Sequence, residues 1–169
     1  MRTNTLLRRA TAVGVGVTLG YLSFTYGIAV LRISGSSMEP SLHAGTVIVV
    51  LRPWLDSLVT GSTGPTHGDV VVVTAPHSSD RVVKRVVATG GQTVAMQDGR
   101  VLVDGEPVGA AVAGPLAGHH SFPAETVPLG HVFVLGDNRL PLASRDSRSF
   151  GPVPVASVRG RVLLPLSER

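Results

Sequence analysis

One lysine stands among 14 arginines in this 169-residue chain, and it sits between valine pairs in Val82-Val83-Lys84-Arg85-Val86-Val87. Arginine keeps its charge in proteins, whereas a lysine deprived of water can lose its proton and act as a base. A partner for such a base lies upstream at Ser34-Gly35-Ser36-Ser37-Met38-Glu39-Pro40, where a serine precedes a turn and an apolar run. The proline and glycine there enforce irregular backbone, which can expose a hydroxyl and aim main-chain N–H groups at one point. Acyl transfer needs that combination of nucleophile and oxyanion donors. Strand periodicity puts Val82, Lys84 and Val86 on one face, with Val83, Arg85 and Val87 on the other. If the first face is the buried one, the Lys84 ammonium loses water and its pKa falls below the free value of about 10.4. A lysine so depressed can take the proton of Ser37.

The third polar concentration is Gly136-Asp137-Asn138-Arg139, continuing through Ser144-Arg145-Asp146-Ser147-Arg148. It is the densest polar stretch in the chain and follows the apolar run His131–Leu135. Its carboxylates, arginines and hydroxyls can form a cross-braced network that holds a loop against a site.

The elements that must position these groups are mostly strands. Apolar, β-branched runs recur at Thr46–Leu51, Asp69–Thr74, Arg81–Ala88, Gln92–Met96, Arg100–Val103, His131–Leu135 and Gly160–Leu164. Asp98-Gly99 and Asp104-Gly105 are tight-turn dipeptides, which predicts a short hairpin and a further reversal. No segment after Leu31 shows helical periodicity over ten residues. The fold expected is mainly β: an N-terminal transmembrane helix, then a small barrel-like or two-sheet antiparallel catalytic domain with a short β-hairpin insertion. Residues 56–68 and 109–130, rich in glycine, proline and small polar residues, are expected to be mobile loops.

The anchor is expected over Ala10–Leu31, 22 residues without a charge. As a helix this run would measure roughly 33 Å, enough to cross a bilayer core. Arg2, Arg8 and Arg9 precede it, which places residues 1–9 in the cytoplasm and residues 32–169 outside, at a bacterial plasma membrane. A cleaved signal peptide fits the same pattern. Membrane lipid is thus an expected partner. Net charge of +4 with scattered arginines and few aromatics points away from nucleic acid. With no cysteine, thiol chemistry and cysteine-based zinc sites are excluded. His119-His120 falls in a loose loop and reads as solvent-exposed, so neither metal nor cofactor is expected.

Taken together, the three elements resemble the type I signal peptidase family of Ser/Lys proteases, mitochondrial inner-membrane peptidases included. The similarity rests on Ser34–Leu42, Gly68–Val72, Val83–Val87, Leu135–Asn138, Ser144–Arg148 and the trailing Gly151-Pro152-Val153-Pro154. The resemblance implies Ser37 as nucleophile, with its N–H in the oxyanion hole, and Lys84 as general base. Ser144 would orient the lysine, while Arg85, Asp137, Asp146 and Arg148 would brace the site by ion pairs. Substrate would add as a β-strand against Ile33, Ser34, Gly35, Ser36, Val82 and Val83. Its implied reaction is endoproteolytic removal of signal peptides from exported preproteins, with small residues at the first and third positions before the cut.

Two features depart from the family pattern. Gly35 stands where some members carry a serine donor to the oxyanion, so no second donor is assigned. Leu140–Ala143 makes the spacing before Ser144 two residues longer than is commonest. Self-cleaving repressor-type Ser/Lys proteases are the nearest rival, but these carry a DNA-binding helical domain. A membrane-anchored β-domain without chemistry is the rival from another class; it would leave Lys84 solvated and far from Ser37.

Overall fold

The computed structural model describes residues 13–15, 17–18, 21, 27–108, 121–140 and 142–165. Strands dominate. In chain order they are β1 (Ile28–Arg32), β2 (Val47–Leu51), β3 (Val70–Thr74), β4 (Arg81–Thr89), β5 (Thr93–Gln97), β6 (Arg100–Val103), β7 (Glu106–Val108), β8 (Phe122–Thr126), β9 (His131–Leu135), β10 (Val153–Pro154) and β11 (Val158–Pro165). Among the strands lie the short α-helices α1 (Pro53–Thr60) and α2 (Ser147–Phe150), with a 3-10 turn at Val155–Ser157.

An antiparallel sheet of seven strands runs β1-β2-β11-β3-β4-β9-β10, and a second of four runs β7-β6-β5-β8. The expected hairpin is β5–β6, in register Met96↔Val101. Its turn residues Asp98 and Gly99 both have positive φ, as do Asp104 and Gly105 at the next reversal. That is the backbone a two-residue primed turn needs, and the Asp-Gly dipeptides supply it.

The transmembrane helix expected over residues 10–31 does not stand. Among the described residues no helix is long and apolar enough to cross a membrane. Val13–Val15, Val17, Thr18 and Tyr21 are helical, but Ile28–Arg32 forms β1 and pairs with β2 from Ile28↔Leu51 to Arg32↔Val47. The end of the apolar run therefore belongs to the sheet. Residues 10–12, 16, 19–20 and 22–26 of the expected span lie outside the described residues, as do 109–120 of the second expected loop, His119 and His120 among them. The rest of that loop contains β8, and the first loop begins inside α1.

Alternation along the strands divides the core into three clusters. One joins the two sheets through Val87, Val94, Met96, Val101, Phe133 and Leu135, with the Phe122 and Phe133 rings stacked at 5.7 Å. A second gathers Val71, Val73, Val86, Val132, Val134 and Val153. The third, Ile33, Met38, Leu42, Ile48, Val50 and Val72, packs behind the serine segment. Outside it, α1 is pinned to β11 where the Arg161 guanidinium binds the Asp56 carboxylate.

At Gly160, β11 passes close against β2. A Cβ there would stand 2.3 Å from the Leu51 carbonyl oxygen and 2.6 Å from Val50 Cγ1. Gly160→Ala should therefore lower stability by about 1–3 kcal/mol, as overpacking against backbone does, read as a fall in denaturation midpoint without a change in m-value.

Candidate active site

Ser37 lies in the turn between β1 and β2, anchored on both sides. Met38 and Leu42 are buried in the third cluster, and Leu42 N–H donates to the Met38 carbonyl at 2.9 Å. Asn138 holds the turn from the opposite side. Its N–H donates to the Ser37 carbonyl at 3.0 Å and its Nδ2 to the Ser36 carbonyl at 3.2 Å.

Lys84 reaches the same point from the middle of β4. It is 2 % exposed, and its Nζ is 2.7 Å from Ser37 Oγ, across 47 residues of sequence. Desolvation depresses the amine below its free value, and the Arg148 charge pushes the same way. The nearby Asp146 and Asp137 carboxylates oppose this without overcoming it. A hydroxyl in contact with an amine that gives up its proton readily is the arrangement nucleophilic acyl transfer requires.

The expected braces all meet near this pair. Arg85 binds Asp137 through two parallel hydrogen bonds, Nε–Oδ1 at 2.8 Å and Nη2–Oδ2 at 2.6 Å, and donates a third to the Gly68 carbonyl. Arg148 makes the same forked contact with Asp146, at 2.9 and 2.8 Å. Burial alone would raise both carboxyls. Hydrogen bonds and charge from Arg85, with Ser41 and Arg139 helping, outweigh it at Asp137. Arg148 and the Gly136 N–H do so at Asp146, which is fully buried. Both stay ionised.

Ser144 is brought to the site but not into the expected contact. Its Oγ is buried and makes no well-formed hydrogen bond among the described residues, although its position favours the ionised Asp146 carboxyl. It packs instead against Gly136, where a Cβ would stand 2.3 Å from Ser144 Oγ and 2.4 Å from the Ser37 carbonyl oxygen. Roles for Gly136, for Asn138 and for Ser147, whose Oγ accepts from the Val134 N–H at 3.0 Å, were not assigned from sequence. Their signal was membership in the dense polar stretch and in the segments Leu135–Asn138 and Ser144–Arg148 that carry the family resemblance.

A cavity of about 310 Å3 opens beside the dyad, lined by Leu31–Gly35 on one side and Arg81–Lys84 on the other. Strands β1 and β4 are separated by β2, β11 and β3 in the sheet order, so the sheet must curl to bring them to one cavity. Both present open edges to it. Val86 bonds toward β3 through Asp69 and Gly68, so alternation turns the main-chain groups of Val83 and Arg81 away from β3, and β9 pairs with β4 only from Arg85 onward. Ile33 bonds toward β2 through Thr46 and Gly45, which turns Arg32 and Ser34 outward in the same way.

A buried amine on a serine hydroxyl, at the end of an open-edged β cleft, is an arrangement that can carry out acyl transfer. The chain belongs to the family described as signal peptidase, peptidase S26, whose profile matches residues 6–167, and it is a serine endopeptidase. It is 30 % identical to signal peptidase I of Mycobacterium tuberculosis, over 95 % of this chain and 72 % of that protein. It is 33 % identical to the mitochondrial ATP-independent inner membrane protease subunit 1b of Arabidopsis thaliana, over 86 % and 69 %. Among solved structures, a signal peptidase I from Enterococcus faecalis superposes with a TM-score of 0.51 at 32 % identity, covering 59 % of this chain and 97 % of that one.

Two outcomes test the geometry. Gly136→Ala should push Ser144 and the Ser37 carbonyl apart and lower kcat/KM at least ~100-fold, the cost of misplacing a catalytic group by about 1 Å; circular dichroism should stay that of a folded domain. Lys84→Met should gain stability over the parent below the depressed folded-state pKa, where the parent carries the full penalty of a buried ammonium. That penalty fades as pH rises toward the unfolded value of 10.5, because the folded state then binds fewer protons than the unfolded one. The difference in Tm should therefore shrink from about pH 6 to about pH 10; a difference that widens contradicts the depressed lysine.

Proposed function

We propose that this endopeptidase removes N-terminal signal peptides from preproteins, with Ser37 as nucleophile and Lys84 as general base. The observation that carries the reading is the 2.7 Å contact between Ser37 Oγ and a lysine amine that is 2 % exposed. A scaffold without chemistry would leave that amine in water. Relatives named signal peptidase I support the substrate class, and those named for the mitochondrial inner membrane support work at a membrane.

In the reaction, neutral Lys84 takes the Ser37 proton as Oγ bonds to the scissile carbonyl carbon. The carbonyl oxygen becomes an oxyanion, met by the Ser37 N–H. As the tetrahedral species collapses, the C–N bond breaks and the Lys84 ammonium returns its proton to the departing amine, which is the new N-terminus of the mature protein. Water, deprotonated by the same lysine, then hydrolyses the Ser37 ester and frees the signal peptide. Arg85–Asp137 and Arg148–Asp146 hold the loop that carries Asn138 and Ser144. The substrate's acyl side adds as a strand between the open edges at Arg32–Ser34 and Arg81–Val83. The cavity of about 310 Å3 there receives the small side chains at the first and third positions before the cut.

The test is incubation of full-length protein with a preprotein, mapping the new N-terminus. Cleavage after a small residue is expected, with kcat/KM rising with pH through an ionisation below 10.5. Lys84→Arg should keep the charge and lose at least ~100-fold in rate, because a guanidinium does not deprotonate. A folded Lys84→Arg protein that cleaves at the parental rate overturns the assignment.

A further inference from the structure

The cleft beside the dyad does not end at its first cavity. A second, larger one of about 680 Å3 adjoins it, and Leu31, Val72 and Arg81 line both. The floor of the second is apolar, from Ala29, Leu31, Val50, Val72 and Val158, with Trp54 at its edge. Among the described residues that line the combined trough, Arg32, Arg52, Arg81 and Arg159 carry charge of one sign and none is a carboxylate. Some of these cations have other work: Arg159 Nε donates to Thr74 Oγ1 at 2.9 Å and Arg32 Nε to the Gly45 carbonyl at 3.2 Å. The nearest neighbouring acid in sequence, Asp80, is bonded to Ser78 Oγ and lies 3.9 Å from Arg145.

Arg81 occupies the junction of the two cavities, three residues before Lys84 on the open half of β4. A substrate strand advances roughly 3.3 Å per residue. If its first residue before the cut lies at Lys84, its fourth to sixth residues pass Arg81 and enter the second cavity. This placement rests on the acyl side filling the cavity beside the dyad, as argued under the proposed function.

We propose that Arg81 is a specificity-determining residue, which selects an acidic or neutral side chain over a basic one at the fourth to sixth positions before the scissile bond. No carboxylate among the described lining residues compensates a lysine or arginine there, whereas a glutamate meets arginines of one sign. Mismatched charge in such a cleft rejects wrong partners more than matched charge tightens right ones.

Three peptides test it, each with the same small residues at the first and third positions and with Glu, Gln or Lys at the fifth. For the full-length parent, kcat/KM should fall in the order Glu, Gln, Lys, with roughly fivefold between the extremes at low salt, the scale of a solvent-accessible ion pair. The spread should sit mainly in KM and narrow at about 0.5 M salt, where screening is short-ranged. Arg81→Glu should reverse the order, and the ratio within each enzyme is the readout, so an overall loss of rate does not mask it. Should Arg81→Glu fail to fold, Arg81→Gln should flatten the order. Equal cleavage of all three by the parent, or an unchanged order in the variants, overturns the inference while leaving the peptidase reading standing. Failure of the parent to cleave any of them overturns both.

Discussion

Removal of water from Lys84 is the constraint on which the rest of the site depends. An ammonium that is 2 % exposed is costly, and the neutral amine is favoured only as long as nearby carboxylates do not hold the proton on it. Asp146 and Asp137 both act to raise the Lys84 pKa. Each is bound by a forked arginine contact, and the Arg148 charge acts on Lys84 with the opposite sign. The two ion pairs therefore do more than fasten a loop. They keep a buried anion, Asp146, and a half-buried one, Asp137, from holding the proton on the Lys84 amine. Removing an arginine would strand a buried carboxylate beside the amine, the costly half of a broken buried pair.

Geometry sets a second condition, since a depressed pKa is useless unless the amine meets a hydroxyl. Ser37 and Lys84 come from a turn after β1 and from the middle of β4, and the stretch after β9 fixes their distance. Asn138 bonds the Ser36 and Ser37 carbonyls, while Asp146 accepts the Gly136 N–H at 2.9 Å and caps α2 through the Arg148 N–H. The same carboxylate thus ties together the end of β9, the start of α2 and the electrostatics of the base. Gly136 is the point of closest approach, and it has no side chain because both neighbours occupy the space.

Most strands were legible because β-branched residues alternate between turn signals; Val70–Thr74, Arg81–Thr89 and His131–Leu135 lie within a residue of their expected bounds. The failures have physical causes. Ile28–Arg32 continues the uncharged run Ala10–Leu31, in which no charged residue marks a polar face, so periodicity could not separate strand from helix. Helix α1 is eight residues long, too short for a ten-residue pattern, although Pro53 at its first turn and Gly61 at φ 68 are the expected start and stop signals. Phe122–Thr126 contains Pro123 and is mostly exposed, which reads as loop; it is the edge strand of its sheet, where proline is tolerated. The site itself was legible as residue types and order. The packing of Ser144 on Gly136 was not, because it depends on how a loop two residues longer than usual folds back.

The division of labour between arginine and lysine connects composition to mechanism. Among the described residues, Arg85, Arg145, Arg148 and Arg161 supply the cations of every lysine- or arginine-to-carboxylate pair. These contacts suit a guanidinium, which offers a planar fork and does not lose its charge on partial burial. A lysine in those positions would bond less specifically and could neutralise. Conversely, an arginine at position 84 would be a fixed charge in a site whose proposed chemistry requires a proton to leave and return. With the ion pairing among the described residues assigned to arginine, the one lysine carries no bracing duty there, which suits the proton transfer proposed for it.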